Sequence, residues 1–205
     1  DIDISFRSLT IHELDLWFFH RDDRSQEVSV MVDLIDQITP FFPVNSFGAS
    51  NWESSRLQEA KEYAINHNLT QFSASEIQWS LAHTSSLLHE DDSLVCMDEK
   101  EKAWYETNQL PLFTFSSQAK GFFSKYINDE EMNEKLTKRF GSKDNIERAQ
   151  RVNHLCESYH LSPATIAISY ITSAPFPTIA VIGSSRVEQL TDSLAHSDFT
   201  LSEKE

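Results

Sequence analysis

A histidine and three charged residues follow the first strongly apolar segment of this sequence. Residues 16–19 are apolar, and His20, Arg21, Asp22 and Asp23 come directly after them. In α/β barrels the carboxyl ends of the strands form the active-site face. An apolar strand that ends in such a polar cluster therefore marks a candidate active-site group.

Four further apolar segments end in hydrogen-bonding side chains or carry them. They are followed by or contain Ser50 and Asn51, then Glu76 and Gln78, then Ser116 and Ser117, and finally the loop Gly183, Ser184, Ser185 and Arg186. This last loop consists largely of small residues and opens a helix, so its amide groups could hold a phosphate. Singly, each group is typical of a helix cap or loop. Together they indicate polar groups that converge on one rim.

Several other kinds of site find no support in the residue spacing. His83 and His89 are six positions apart, as are His154 and His160, so neither pair lies on one helix face as the ligands of an HExxH zinc site do. No GxSxG segment marks a serine hydrolase. With only four glycines, the chain also has no GxGxxG or GxxxxGK[ST] phosphate loop. We therefore predict no metal site, Rossmann domain or P-loop.

Composition limits the partners. The 205 residues carry a net charge of -15, which repels phosphate backbones and anionic lipids, so nucleic-acid and membrane partners are not expected. The longest apolar runs fall far below the roughly 20 residues of a membrane-spanning helix. Cys96 and Cys156 lie far apart with no clustered spacing. A soluble, cytoplasmic protein with one domain over residues 1–205 fits these features.

Strand-like and helix-like segments alternate along the chain. Short apolar runs predict strands over 15–20, 46–51, 72–78, 111–116 and 178–183. Helical patterns cover 27–38, 53–67, 98–108, 130–140, 145–159, 163–173 and 187–195, and the acidic stretch within 83–101 is interpreted as a surface loop. Alternation of this kind predicts parallel strands in a doubly wound sheet or a barrel.

Six ordered segments resemble the aldo/keto reductase family over essentially the whole chain. They are DLWFFHRDD, FGASNW, FSASEIQWSLA, LPLFTFSSQAKGFFS, LSPATIAISY and VIGSSRVEQL. The resemblance implies a TIM-type (β/α)8 barrel that transfers hydride from NADPH, or sometimes NADH, to an aldehyde or ketone. The family binds this cofactor without a Rossmann fold, which makes the missing glycine motif expected.

The resemblance also implies roles for individual residues. His20 matches the catalytic histidine that orients the substrate carbonyl, while Ser50 and Asn51 match the pair that binds the nicotinamide carboxamide. Phe115 stands where the family often has a tyrosine that stacks on the nicotinamide ring, and a phenyl ring can stack equally well. The remaining cofactor-binding matches are Ser116 at the pyrophosphate, Gly183, Ser184, Ser185 and Arg186 at the adenosine-side phosphate, and Gln189 and Asp192 near the adenine.

Arg186 is the only cation near this loop in the sequence that is expected to bind a 2′-phosphate in bidentate geometry. Glu76 departs from the family pattern, which usually has a glutamine that contacts the carboxamide. A carboxylate accepts from the amide NH₂ but donates only when protonated. Gln78 lies two residues on, on the same side of the strand. The orientation of the cofactor at this point is therefore open.

The family tetrad comprises Asp, Tyr, Lys and His, of which the resemblance assigns only His20 to this chain. The match starts just before the family's fourth strand, so we expect a partial barrel of about five β/α units, from a sequence whose start was removed or which is a fragment. Three interpretations stay open. The chain is the C-terminal part of a complete reductase or fusion protein; or it is a natural half-barrel that is completed by dimerisation or by another chain and binds cofactor without catalysis; or it is a non-enzymatic interaction subunit. The isolated chain is expected to be inactive and to self-associate or pair with an N-terminal segment.

The predicted substrate is a small aldehyde, ketone or sugar-like carbonyl. Trp17, Trp52 and Trp79 lie near predicted strand ends, and aromatic walls suit such ligands. Residues 117–123 follow a strand tip and are interpreted either as a belt over the cofactor or as a surface loop.

Overall fold

The computed structural model describes residues 2–202 and 204–205. Five strands form one sheet in which every neighbouring pair is parallel and the spatial order follows the chain. They are β1 (Trp17–Phe19), β2 (Phe47–Ser50), β3 (Ala74–Gln78), β4 (Leu112–Phe115) and β5 (Thr178–Ala180). The predicted parallel α/β architecture is confirmed.

Ten α-helices occur within the described residues. They are α1 (Ile2–Leu9), α2 (Val28–Ile38), α3 (Ser54–His67), α4 (Ser86–His89), α5 (Glu99–Asn108), α6 (Phe122–Ile127), α7 (Glu134–Phe140), α8 (Lys143–Tyr159), α9 (Pro163–Thr172) and α10 (Val187–Leu194). Two short 3₁₀ turns cover Thr39–Phe41 and Ala119–Gly121. None of these helices within 2–202 and 204–205 has both the length and the hydrophobicity to cross a bilayer.

Two local predictions need correction. The helix expected over 130–140 starts only at Glu134, because the Asn133 side chain caps it by accepting from the Leu136 amide at 2.8 Å. The acidic stretch predicted as a surface loop holds for residues 90–92 but not for His89, which is buried in α4, the helix capped by Ser85. Further along, Cys96 forms a parallel bridge with Gln78 at the end of β3.

The two faces of the sheet differ in how they are covered. Side chains alternate along each strand, and residues paired in register share a face. One face, which includes Phe47, Ile77 and Leu112, is buried beneath helices. Tyr105 of α5 packs there and donates a hydrogen bond to Ser75 Oγ at 2.8 Å. This helix-covered face supplies much of the core.

The other face of the sheet is concave. We call it the open face; its members are Phe18, Gly48, Ser50, Ala74, Glu76, Gln78, Phe113, Phe115 and Ile179, by their register. The Phe18 and Phe113 rings lie only 5.2 Å apart although β2 and β3 separate their strands. In a flat sheet three strand spacings would be about 14 Å. The sheet therefore curves as a barrel wall does.

Gly48 permits this curvature. A β-carbon built at Gly48 would lie 2.4 Å from Phe18 Cε1, far inside van der Waals contact. The missing side chain leaves room for the Phe18 ring to lie across β2 and reach Phe113. Gly48 is thus required for a close approach rather than for a turn.

A second core holds the segment that follows β4. Phe122 and Phe123 at the start of α6 are buried against Phe140, Ala149 of α8 and Ile166 of α9. These contacts fix α6 and α9 relative to each other. The polar segment between β4 and α6 is positioned by this packing.

Candidate functional site

A chain of hydrogen bonds joins the polar groups at the ends of β2 and β3. Ser50 and Glu76 are register partners, and the Ser50 hydroxyl donates to Glu76 Oε2 at 3.0 Å. The Asn51 side-chain amide donates to Ser50 Oγ at 3.0 Å, and its carbonyl oxygen accepts from the Val95 amide at 3.2 Å. Ser50 and Asn51 are each only 1% exposed, so their orientations are fixed. The structure thus brings together three of the predicted cofactor-binding residues.

The turn from β2 into α3 depends on Asn51. Its φ of 59° lies in the left-handed region, which asparagine enters more readily than most residues. The Asn51 amide donates to the Glu76 carbonyl at 2.8 Å, so the turn is also tied to β3. In this conformation the Asn51 side chain lies between Ser50 and Val95 and bonds to both.

Glu101 of α5 caps the start of α3 from a distance. Ser54 donates to its carboxylate through the backbone amide, at 3.0 and 3.2 Å to the two oxygens, and through the hydroxyl at 2.8 Å. Glu53, at the N-cap position, makes no capping bond of its own. Burial raises the pKa of Glu101, and the bonds from Ser54 act in the opposite direction. Sequence spacing gave no signal for this contact, which links residues 47 positions apart.

His20 follows β1 directly and its side chain is exposed. The segment around it is held on two sides. Arg21 donates to the His20 carbonyl at 2.9 Å and to Ser93 Oγ at 3.0 Å. Asp22 forms an ion pair with Arg56 of α3, with Nε–Oδ2 at 2.6 Å and Nη2–Oδ1 at 3.0 Å, and the Asp22 side chain is 2% exposed. His20 is therefore an accessible imidazole on an anchored backbone.

A cleft of about 750 Å³ lies between the segment after β4 and the loop after β5. Seven of the predicted residues line it: Ser116, Gly183, Ser184, Ser185, Arg186, Gln189 and Asp192. The N-terminal half of α9 forms part of the wall through Pro163, Ala164 and Ala167. Residues more than 60 positions apart in sequence thus share one cavity.

Two lysines line the same cleft beside Arg186. Lys120 and Lys125 stand on the segment that follows Ser117, and neither was identified from the sequence as a site residue. Lys120 belongs to the stretch 117–123, which the sequence analysis interprets as a belt over the cofactor or as a surface loop. The interpretation as a belt is the sequence feature that could have identified Lys120 as a site residue. Glu130 and Asp192 line the cleft as well, and Lys125 pairs with Glu130 at 3.7 Å, so the three cations exceed the two carboxylates by one charge. This excess favours an anionic ligand.

The segment 116–121 is a compact turn with unusual backbone angles. Ser116, Ala119 and Lys120 have φ values of 54°, 48° and 52°, and Gly121 has 80°. Non-glycine residues rarely adopt the left-handed region. Ser117 donates to the Val181 carbonyl at 2.8 Å and Gln118 donates to Ser193 Oγ at 3.0 Å. These two bonds connect the turn to both the β5 loop and α10.

The loop 183–186 is exposed throughout. Gln189 Oε1 accepts from both the Ser185 amide and the Ser185 hydroxyl, each at 3.1 Å. Gln189 therefore holds the loop in place as well as facing the cleft. Arg186 is the residue before α10; it is exposed, lines the cleft and has no ion pair within residues 2–202 and 204–205, so its guanidinium is available to a ligand.

Phe115 lies half-buried on the open face, in register with Gln78. It stands between the hydrogen-bonded chain at the ends of β2 and β3 and the cleft that begins after β4. Gln78 itself is 2% exposed and donates to Ser80 Oγ at 3.5 Å. The buried chain of Ser50, Asn51 and Glu76 thus lies on β2 and β3, while the cleft begins at the end of β4.

The predicted aromatic wall does not line the cleft. Trp52 is fully buried, with its ring 5.1 Å from Phe72 and beneath the Arg56 guanidinium at 5.3 Å. Trp17 is half-buried, in register with Phe47, and packs against it on the helix-covered face. Trp79 is 5% exposed, stacks on Phe176 and lines a different cavity.

Comparison with known proteins identifies the family. The model of the aldo/keto reductase family matches residues 1–205, and the chain belongs to that family. The structure is similar to the crystal structure of a thermostable aldo-keto reductase in complex with the inhibitor epalrestat, with a TM-score of 0.71 at 12% sequence identity. That match covers 99% of this chain and 61% of the relative's chain. The likeness supports an α/β fold of the TIM-barrel type.

Proposed function

We propose that this protein contributes the cofactor-binding part of an NAD(P)H-dependent oxidoreductase that reduces an aldehyde or ketone. One observation carries the proposal. The cleft of about 750 Å³ unites Ser116 and the loop 183–186, which the family resemblance puts at the cofactor phosphates, and Gln189, which it puts near the adenine, with Lys120 and Lys125. A nicotinamide dinucleotide is elongated and anionic, and it suits such a cleft.

The chemistry of the donors supports this ligand. Lys120, Lys125 and Arg186 would bind phosphate groups, and the fork of Arg186 suits the 2′-phosphate of NADPH, whereas NADH lacks that group. Ser50 and Asn51 would bind the carboxamide. Their side chains now bond each other, Glu76 and Val95, so a ligand there would exchange existing hydrogen bonds for new ones. Phe115 would lie against the nicotinamide ring.

Bound NADPH would supply the hydride, and His20 would orient the substrate carbonyl. We assign to residues 1–205 about five β/α units of a TIM-type barrel, with His20 as the member of the Asp, Tyr, Lys and His tetrad that the resemblance locates here. On this proposal the 205-residue chain alone binds cofactor but does not turn over a small carbonyl substrate. A cytoplasmic location is part of the same proposal.

A second candidate function is a cofactor-binding or interaction subunit without catalysis. The open face favours it, because Ile179 is 41% exposed and the neighbouring Val181 40%. Strands β1 and β5 each have one partner strand within the described residues. Exposed apolar groups and free strand edges favour pairing with another chain, by self-association or with complementary strands.

The experiment titrates the chain with NADPH and follows binding by calorimetry. Arg186→Glu is expected to weaken NADPH binding by about tenfold or more, since a charge-assisted phosphate contact is lost and a repulsion is added. Arg7→Glu is the matched control, since Arg7 lies on α1 and pairs with Asp3 in solvent. Equal affinity of Arg186→Glu and the unchanged chain would show that the loop assignment is wrong.

His20→Ala separates binding from turnover. It is expected to leave NADPH affinity unchanged and to reduce carbonyl reduction strongly in a protein with the complete tetrad. Unchanged turnover in that variant would show that the catalytic assignment of His20 is wrong, whereas partner binding that survives His20→Ala in a protein without turnover would favour the interaction subunit.

A further inference from the structure

A second cavity, of about 520 Å³, lies on the other side of α9 from the cofactor cleft. We call it the lateral cavity; Trp79, Tyr170, Lys102, Arg148 and Arg151 are among the residues that line it. Helix α9 faces the cleft through Pro163, Ala164 and Ala167, and it faces the lateral cavity through Ile166, Tyr170 and Ser173. The two sets share no residue.

One wall of the lateral cavity is aromatic, and its rings are held by packing against each other. Trp79 is 5% exposed, and its ring stacks on Phe176 with centroids 5.6 Å apart and an interplanar angle of 19°. Tyr170 meets the same indole edge to face at 5.6 Å. Val152 and Ile166 add aliphatic surface. Such a wall suits the face of a planar apolar ligand.

Three cations line the same cavity in a chain whose net charge is -15. Arg148 is fixed, since it donates to the Leu81 carbonyl at 3.2 Å and pairs with Asp144 at 3.1 Å. Arg151 follows one turn later on α8 and has no ion pair among the described residues. Glu205 also lines the cavity, and the bonds that its carboxylate accepts from Tyr159 and from the Ser202 amide come from neutral groups. Lys102 pairs with Glu106 at 3.8 Å, so Arg151 is the cation of this cavity that is available to an anionic ligand.

We propose that the lateral cavity binds a planar aromatic carboxylate. The ring lies against Trp79 and Tyr170, and the carboxylate accepts hydrogen bonds from Arg151. The guanidinium fork matches a carboxylate in bidentate geometry. This site is independent of the proposed cofactor function, since none of its residues belongs to the cleft.

The test titrates the 205-residue chain with 2-naphthoate, monitored by calorimetry and by quenching of tryptophan fluorescence. Arg151→Gln is expected to weaken binding about tenfold, through the loss of a charge-assisted bond. Arg151→Lys is expected to retain most of the affinity. Neutral 2-naphthol, which has the same ring system without a carboxylate, is expected to bind about tenfold more weakly than 2-naphthoate.

Three controls locate the site. Trp79→Phe is expected to reduce the quenching, while Arg186→Glu and added NADPH are expected to leave 2-naphthoate affinity unchanged. If Arg186→Glu or NADPH abolishes binding, the ligand occupies the cofactor cleft and the proposal is overturned. If Arg151→Gln has no effect but Ile179→Asp removes binding, the probe binds the open face and the proposal is equally overturned. Absence of saturable binding also contradicts it.

Discussion

The two ends of the candidate cofactor site are built in opposite ways. Ser50 and Asn51 are 1% exposed, and their side chains are bonded to each other, to Glu76 and to Val95. The loop 183–186 is exposed, and the bonds from Ser185 to Gln189 are its main side-chain support. We refer to the first as the buried end and to the second as the exposed loop.

Because of this difference, each end would contribute differently to the binding of a ligand. Buried donors that already have partners keep one geometry, so they suit the orientation of a group whose position matters to within tenths of an ångström. An exposed loop with small residues and a nearby cation can order around a phosphate, and its attraction is screened by salt. The buried end is thus suited to orientation and the exposed loop to affinity.

The largest contrast in stability is expected between Trp52 and Val187. Trp52→Ala removes a fully buried indole next to the buried end and is expected to lower the free energy of unfolding by about 3–5 kcal/mol. Val187 is 75% exposed at the start of α10, and Val187→Ala is expected to change that free energy by less than about 0.5 kcal/mol. Urea unfolding followed by circular dichroism measures both. Similar losses in the two variants would show that the exposed loop is packed as tightly as the buried end.

Trp52 also shows what the sequence could and could not predict. The alternation of apolar runs with helical patterns correctly predicted the parallel strands. Of the predicted polar groups, Ser116 and the loop 183–186 line one cleft, and so does Gln189, which the family resemblance supplied. Trp52 directly follows one of these strand ends, which suggested a place on the rim. The chain turns at Asn51, where φ is 59°, and the indole lies instead beneath Arg56 of α3. The left-handed turn at Asn51 and the long-range contacts of the indole with Phe72 together place Trp52 in the core.

Long-range contacts account for most of the remaining differences. The bonds from Ser54 to Glu101 and the ion pair of Asp22 with Arg56 join segments 47 and 34 residues apart, and hydrophobic periodicity contains no information on such pairs. The left-handed angles at Ala119 and Lys120 likewise oppose local preference and are held by tertiary packing around α6. Local patterns thus predicted the elements, while the supports of the site required the folded structure.

A smaller contrast is expected between two glycines. A β-carbon at Gly48 would lie 2.4 Å from the Phe18 ring, whereas one at Gly183 would meet nothing within 4 Å. Gly48→Ala is therefore expected to displace Phe18 from Phe113 and to lower the free energy of unfolding by about 1–3 kcal/mol. Gly183→Ala is expected to change it by less than about 0.5 kcal/mol. Denaturant unfolding distinguishes the two, and equal effects would mean that Phe18 moves aside without loss of packing.

The smallest effect concerns how stability depends on pH through Glu101, which caps α3 directly after the buried end. Burial raises the pKa of Glu101, so the folded state holds this proton more tightly than the unfolded chain does. Stability from this group is then fully present below the unfolded pKa of about 4.3 and is lost as pH rises through the folded value. The stability of the unchanged chain relative to Glu101→Gln is therefore expected to fall between acidic and neutral pH.

Urea unfolding of both proteins at pH 4 and pH 7 measures this difference, with Glu188→Gln on the exposed helix α10 as the matched control. A relative stability that rises with pH would mean that the three contacts from Ser54 outweigh burial and that Glu101 binds them as a carboxylate. In that case the cap of α3 would be strongest where Glu101 is charged. The buried end would then depend on a charged group, the Glu101 carboxylate, as the exposed loop depends on the charge of Arg186. The two regions would differ in burial and not in their use of charge.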